Sequence, residues 1–332
     1  MKKKLIAVAA VILIVVLTCS LAACNSKSMF DGNFTKEASK EEAQSAWENA
    51  QKAFGEDSSE LAMASADEES APVKGWKGMK VSMNANSKTG YVRDGVKNES
   101  VIKMGAEGSL LFDASAIALT GSQEISRTKG EETESKSINV GTYVQDNTMY
   151  ANLKSGEKEL KVKFTSDLDI TSRPIKDAMS ELSSSLSETA LDAIAEAICD
   201  MSYTELLNKY DGFKAYINNS GDYNRIKYVF TAEMVADIND QDEDFIKNVA
   251  LGECSIIIVT DKATGSFQGA KFDMNYSYKG SVDEDEISMD VKSSISVENC
   301  SEVNATPKNA DEYKDIKDCV NDAMEFLKSL YA

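Results

Sequence analysis

Ile287-Ser288-Met289-Asp290-Val291-Lys292-Ser293-Ser294-Ile295-Ser296-Val297 is the cleanest alternation in the chain. Apolar side chains hold the odd positions apart from Ser293, and Ser288, Asp290 and Lys292 are set against them. A period of two puts one face of a strand in a dry interior and the other in water. The same pattern extends backward through Phe272, Met274, Tyr276 and Tyr278, with Asp283-Glu284-Asp285-Glu286 as a charged hairpin turn between the two runs. Cys254 to Thr260 reads as a further strand, as does the Ile226, Tyr228, Phe230 alternation.

A second block lies between Trp76 and Phe164. Met79, Val81 and Met83 alternate with Lys80, Ser82 and Asn84. Gly108 to Ser126 reads as one long strand or as two bent at a small-residue site, with Leu110, Phe112, Ala114, Ala116 and Ala118 sharing a face. Ile138 to Val144 and Thr148 to Leu153 flank Gln145-Asp146-Asn147 and predict a hairpin. Leu160, Val162 and Phe164 predict the next strand.

Helical periods separate and flank the blocks. Ala43, Ala46, Trp47, Ala50 and Phe54 fall at three- and four-residue steps, which predicts a helix over 36–54 stopped by Gly55. Ile175, Ala178, Met179, Leu182, Leu186, Ala190, Ile194, Ile198 and Met201 form the stripe of a long Ser-rich helix. Thr204 to Tyr210 predicts a short helix, Ala232 to Leu251 an acidic helical interlude, and Ala310 to Leu330 a closing helix. Strand blocks separated by helices, without strand–helix alternation, argue for an α+β fold with an antiparallel sheet. The main domain spans 36–331, with two similarly ordered halves, 36–165 and 175–330.

The N-terminal stretch has a different character. Lys2, Lys3 and Lys4 precede an apolar run from Leu5 to Leu17, and Leu21-Ala22-Ala23-Cys24 follows. A basic start, a short apolar core and small residues before a cleavage point make a secretory signal over 1–23. The run is shorter than the roughly 20 apolar residues a membrane span needs. The Cys directly after Leu-Ala-Ala matches the lipobox of bacterial lipoproteins, whose thiol takes a diacylglycerol and becomes the mature N-terminus. Residues 24–35 read as a polar tether, and the expected location is the extracellular face of a cell membrane. Each buried methylene of an acyl chain contributes about 0.8 kcal/mol, so two chains hold a domain on a bilayer without a protein span.

Composition narrows the chemistry. The formal charge is −19, and losing the three lysines takes it to −22, which repels phosphate backbones and makes nucleic acid a poor partner. The chain has no His, which removes the commonest general base and the usual zinc ligand. Asp237 to Asp244 lacks the Gly and Glu that a calcium loop requires at its sixth and twelfth positions. No Gly-x-Ser-x-Gly elbow or phosphate-binding Gly loop is present. With 55 acids, no carboxylate pair stands out as catalytic. No catalytic residue, metal ligand or cofactor is assigned, and the expected function is non-catalytic. Cys199, Cys254, Cys300 and Cys319 are even in number outside the signal, so two disulfides with three possible pairings and buried free thiols both stand as readings.

The lipobox Cys24, the helix of Trp47 and Phe54, the strand opening at Trp76-Lys77-Gly78-Met79 and the Tyr143 to Tyr150 hairpin together resemble the LolA/LppX-like half-barrel lipoproteins. That resemblance implies a strongly curved antiparallel sheet with amphipathic helices on its concave face, and a hollow that carries lipids or acyl chains. Met79, Met83, Phe112, Met149, Met274, Tyr276 and Met289, with Met179 and Leu182 from the long helix, are the expected cavity lining. Met suits surfaces that accept varied apolar shapes. Two functional readings follow: a module binding an apolar ligand such as a lipid, or a structural or protein-interaction lipoprotein with a filled core. Replacing Cys24 by Ala should abolish incorporation of a labelled fatty acid and leave the precursor uncleaved by the lipoprotein peptidase. Normal processing and retention of that variant would refute the anchor.

Overall fold

The computed structural model describes residues 29–54, 75–93, 95–111, 116–145, 148–165, 202–238, 243–282 and 285–330. The first half holds β1 (Lys36–Glu37), α1 (Lys40–Phe54), β2 (Gly78–Arg93), β3 (Val96–Leu111), β4 (Ala116–Lys129), β5 (Glu132–Gln145), β6 (Thr148–Ser155) and β7 (Lys158–Thr165). The second holds α2 (Tyr203–Lys209), β8 (Lys214–Asn218), β9 (Tyr223–Val229), α3 (Ala232–Ile238), α4 (Glu243–Asn248), β10 (Val249–Leu251), β11 (Ser255–Asp261), β12 (Phe267–Val282) and β13 (Asp285–Cys300). A short β14 (Lys314–Asp315) and α5 (Val320–Leu330) close the chain.

All the strands join one large, open, curved sheet in the order β1-β8-β9-β11-β12-β13-β2-β3-β4-β5-β6-β7-β14, with β10 beside β12. The described residues are mostly β, and their helices are few. The six strands from β2 to β7 form an antiparallel meander toward one edge. The strands β8, β9, β11, β12 and β13 form a second that ends beside β2. The two join along a seam running from Glu286 opposite Val92 to Cys300 opposite Gly78. Lys80 bridges it, 3.2 Å from Glu298 on β13 and 3.3 Å from Glu107 on β3.

Register makes the apolar rows continuous. Ile256 faces Phe272, which faces Ile295, then Met83 and Ala106. A second row runs Ala270, Val297, Val81, Gly108, Leu119. A Cβ on Gly108 would sit 2.9 Å from the Leu119 side chain, so the missing side chain is what admits Leu119 to the row.

Helices cover this dry face at its two ends. At the β8 end, Ala43, Trp47 and Ala50 of α1 pack with Tyr203 and Leu206 of α2, Tyr228, Ile256 and Ile258. Trp47 meets Tyr228 edge-on at a centroid distance of 4.8 Å, and the Tyr228 hydroxyl donates to the Ala43 carbonyl at 2.6 Å. At the β7 end, Ile316, Cys319, Ala323 and Phe326 pack on Val140, Leu153, Leu160 and Val162.

Several boundaries differ from the sequence reading. The first helix starts at Lys40 because Ser39 and Glu42 form a reciprocal cap: the Ser39 N–H donates to Glu42, and the Glu42 N–H to the Ser39 hydroxyl. Lys36 and Glu37 instead extend the sheet edge beside β8. From Met29 the expected tether is bound to the opposite face of the sheet, where Phe30 is buried against Ile257 and Val259. Arg225 fastens it by donating to the Met29 carbonyl at 2.5 Å. The expected long strand through Gly108 and Ser126 is two paired strands, and Ile117 and Leu119, not Ala116 and Ala118, share the face of Leu110. The expected closing helix begins only at Val320, because Lys314 and Asp315 pair in parallel with β7 and the Ile316 N–H donates to the Lys163 carbonyl. The long helix expected from Ile175 to Met201 lies outside the described residues.

Cys254, Cys300 and Cys319 are free thiols, so the two-disulfide reading fails for these three; Cys199 lies outside the described residues. Burial pushes the thiols up, Cys300 to about 11.

Burial also holds the phenols of Tyr203, Tyr228, Tyr276 and Tyr313 above their ordinary value of 10.0. The unfolded chain loses these protons first as pH rises, so their contribution to stability is intact below about pH 10 and falls above it. Urea midpoints should therefore drop steeply above about pH 10. In Tyr228→Phe the drop should be shallower, from a starting stability lower by about 1 kcal/mol for the lost hydrogen bond.

Candidate functional site

The expected cavity residues divide into three groups. Met79, Met274 and Tyr276 are buried in the main core, at 0%, 5% and 6% exposure. Met83, Met149 and Met289 are half-buried on the same dry face. Phe112, Met179, Leu182 and the lipidation residue Cys24 lie outside the described residues. The face therefore brings together six of the expected side chains, but it solidly packs half of them.

Away from α1 and α5 the dry face continues along the outer reaches of the long strands. Ile102, Ile125, Met289 and Val291 are half-buried there. Tyr91 and Met104 are 43% and 39% exposed. These residues share the face by register: Met289 pairs with Tyr278, Val291 with Tyr276, and Ile102 with Ile125. The arrangement offers an apolar strip with two adaptable Met side chains, interrupted by Ser87, Thr89 and Ser100 and closed at its margin by Lys129, Arg127, Glu132, Glu134 and Lys136.

A second feature, which period-two reasoning missed, is a cleft of about 440 Å³ bordered mainly by residues of the polar alternation. Its main row crosses five strands: Asn275, Lys292, Asn86, Lys103 and Glu124. The next row is Asp273, Ser294 and Asn84. A break in the ladder shapes one wall. β10 pairs with β12 up to Tyr276 and β11 resumes at Asp273, so Gly252-Glu253-Cys254 bulges between them. Within the bulge the Gly252 N–H donates to the Asn275 carbonyl at 2.7 Å. The Cys254 thiol donates to that carbonyl at 3.1 Å and accepts the Asn275 N–H at 3.3 Å. The side chain thus replaces a missing strand partner, as buried backbone polar groups require. The bulge also sets Glu253 at the cleft, paired with Lys227 at 2.7 Å.

Most charges of the cleft are matched. Lys103 lies 3.2 Å from Glu124, and Lys271 lies 2.9 Å from Asp273. Lys292 has no ion-pair partner among the described residues. Elsewhere, Asp237 of the acidic interlude accepts from Lys209 at 2.8 Å and from the Tyr210 hydroxyl at 2.7 Å. Those bonds, Lys209 foremost, hold its carboxyl below the ordinary range. No group of three or more metal-ligating side chains occurs among the described residues.

No family profile and no curated protein matches the chain. Among solved structures, it is similar to the crystal structure of a DUF1329 family protein from Desulfovibrio piger, at 10% identity. That likeness covers 79% of this chain and 94% of the other at a TM-score of 0.14, too low to inform function. What stands is a sheet-rich fold.

The two kinds of methionine should separate on substitution. Met79→Ala, in the packed part, should cost about 2–5 kcal/mol in urea unfolding. Met289→Ala, on the half-covered strip, should cost less than about 1.5 kcal/mol, because water already reaches the site. Equal losses would show that the strip is packed as tightly as the core.

Proposed function

We propose that this chain is a lipoprotein held on the outer face of a cell membrane by a diacylglycerol on Cys24, and that it binds an apolar ligand such as a lipid. In this reading the sheet is a half-barrel of the LolA/LppX kind, its dry face is the concave one, and α1 and α5 pack within it. The protein acts by sheltering its ligand and not by chemistry. The carrying observation is the apolar strip: Ile102, Met104, Ile125, Met289 and Val291, set among Ser87, Thr89 and Ser100, remain half-buried or exposed on the dry face. Apolar strips of this kind mark ligand or partner surfaces, and the unbranched Met side chains adapt to acyl chains of different shape. No helix among the described residues is long and apolar enough to cross a membrane, and the lipobox supplies the alternative means of attachment.

The packing around Trp47 favours a second reading. Trp47, Tyr228, Met79, Leu119, Ile256 and Ile258 are fully buried, so this end of the face is filled by the protein itself. A structural lipoprotein that presents the remaining strip to a protein partner would look the same there. Native mass spectrometry of the mature lipoprotein, gently extracted from its membrane, separates the two. Bound lipid is expected, with occupancy reduced at least about fivefold in Met289→Asp, because a carboxylate cannot be desolvated beside an acyl chain. Repeatedly empty spectra would overturn the carrier reading and leave the structural one.

A further inference from the structure

The polar cleft does not enter the lipid-binding reading, and its chemistry is different. Its volume of about 440 Å³ falls within the range of small-molecule sites. None of its lining residues is aromatic, so a ligand there is held by polar contacts and not by stacking. Asn84, Asn86 and Asn275 supply carboxamides, each both donor and acceptor, which suits hydroxyl groups. Ser294, between Asp273 and Asn84, keeps the neighbouring row low.

Charge defines the ligand further. With Lys103, Lys271 and Glu253 already paired to Glu124, Asp273 and Lys227, the charge left over in the cleft is the ammonium of Lys292. Register places that ammonium's residue between two of the three carboxamides, Asn275 on one strand and Asn86 on the other. A neutral ligand leaves the ammonium unmatched. A polyanion meets Glu253 and Asp273 in the cleft and a chain of net charge −19 around it. One negative charge with several hydroxyls fits. The Asn275 backbone is fixed on both its polar atoms by Gly252 and Cys254, which holds in place the strand segment that carries its carboxamide.

We propose that the cleft binds a small hydroxylated monoanion of the acidic-sugar class, its carboxylate on Lys292 and its hydroxyls on the carboxamides of Asn84, Asn86 and Asn275. The hydrogen-bonding side chains of the cleft belong to the polar alternation and the apolar strip to the other, and the two meet at Met104.

Calorimetric titration of the mature protein with glucuronate, glucose and acetate tests this. Glucuronate should bind with a Kd below about 1 mM, and glucose and acetate at least about tenfold more weakly, since each lacks half of the recognition. Lys292→Met should weaken glucuronate about tenfold, to the level of glucose, because it removes a charge-assisted contact. Lys292→Arg should restore most of the affinity. Asn86→Ala should weaken glucuronate and glucose alike, and Met289→Asp should leave glucuronate binding unchanged. Unaltered circular dichroism is expected for Lys292→Met, since Lys292 is exposed. Absence of glucuronate binding up to about 10 mM, equal affinity in Lys292→Met, or acetate binding as tightly as glucuronate would overturn the proposal.

Discussion

The hydrogen-bonded seam between β13 and β2 is the constraint on which the rest depends. It joins residues 78–92 to residues 286–300, far apart in the chain, and it makes one sheet of two meanders. Register along it is what aligns Val297 with Val81 and Ile295 with Met83. A slip of one residue would turn one meander's apolar rows to water while leaving the other's inside. The Glu107–Lys80–Glu298 bridge lies across the seam and opposes a slip of one residue, which would turn the Lys80 and Glu298 side chains to opposite faces. Contacts of such long sequence separation carry a large loop-closure entropy, so the seam belongs to the slow part of folding.

From that seam the two faces of the sheet take on separate roles. The dry face is filled where α1, α2, α3 and α5 lie on it and more thinly covered along the outer strand reaches, where Met289, Val291 and Ile246 of α4 flank the main core. The other face is polar across its middle strands, yet near the edge it is also covered, because Phe30 sits on Ile257 and Val259. This explains why β11 is buried on nearly every residue and reads as a continuous apolar run, whereas β13 alternates. The cleft lies where the polar middle meets the bulge of Gly252 to Cys254.

Alternation made most strands legible in the sequence: the Gln145 to Thr148 hairpin and the strands around Met79, Met274 and Met289 lie where their periods place them. The parity error between Leu110 and Ala116 arose because they lie on two antiparallel strands, and the pairing of Leu110 with Ile117 sets which face each residue takes. The strand at Val96 to Leu111 was legible only in part, since Lys97, Asn98 and Glu99 at its start disguise the alternation. Six of the nine expected lining residues do share a face, but their degree of burial was not readable, because it depends on helices packed from distant parts of the chain. The cleft gave no linear signal at all: Asn275, Lys292 and Asn86 become neighbours only through strand pairing.

The amino-acid order by itself determined the local periods: where most strands and the helix of Trp47 run, and that Leu21-Ala22-Ala23-Cys24 follows an apolar run. These depend on interactions within a few residues, which are written directly in the chain. Tertiary structure alone decided strand order, the placing of Met29 to Phe34 on the sheet, the free state of Cys254, Cys300 and Cys319, and the unmatched charge of Lys292 in its cleft. Each of these depends on which distant backbone completes a hydrogen-bond ladder, and a period of two is equally satisfied by many partners.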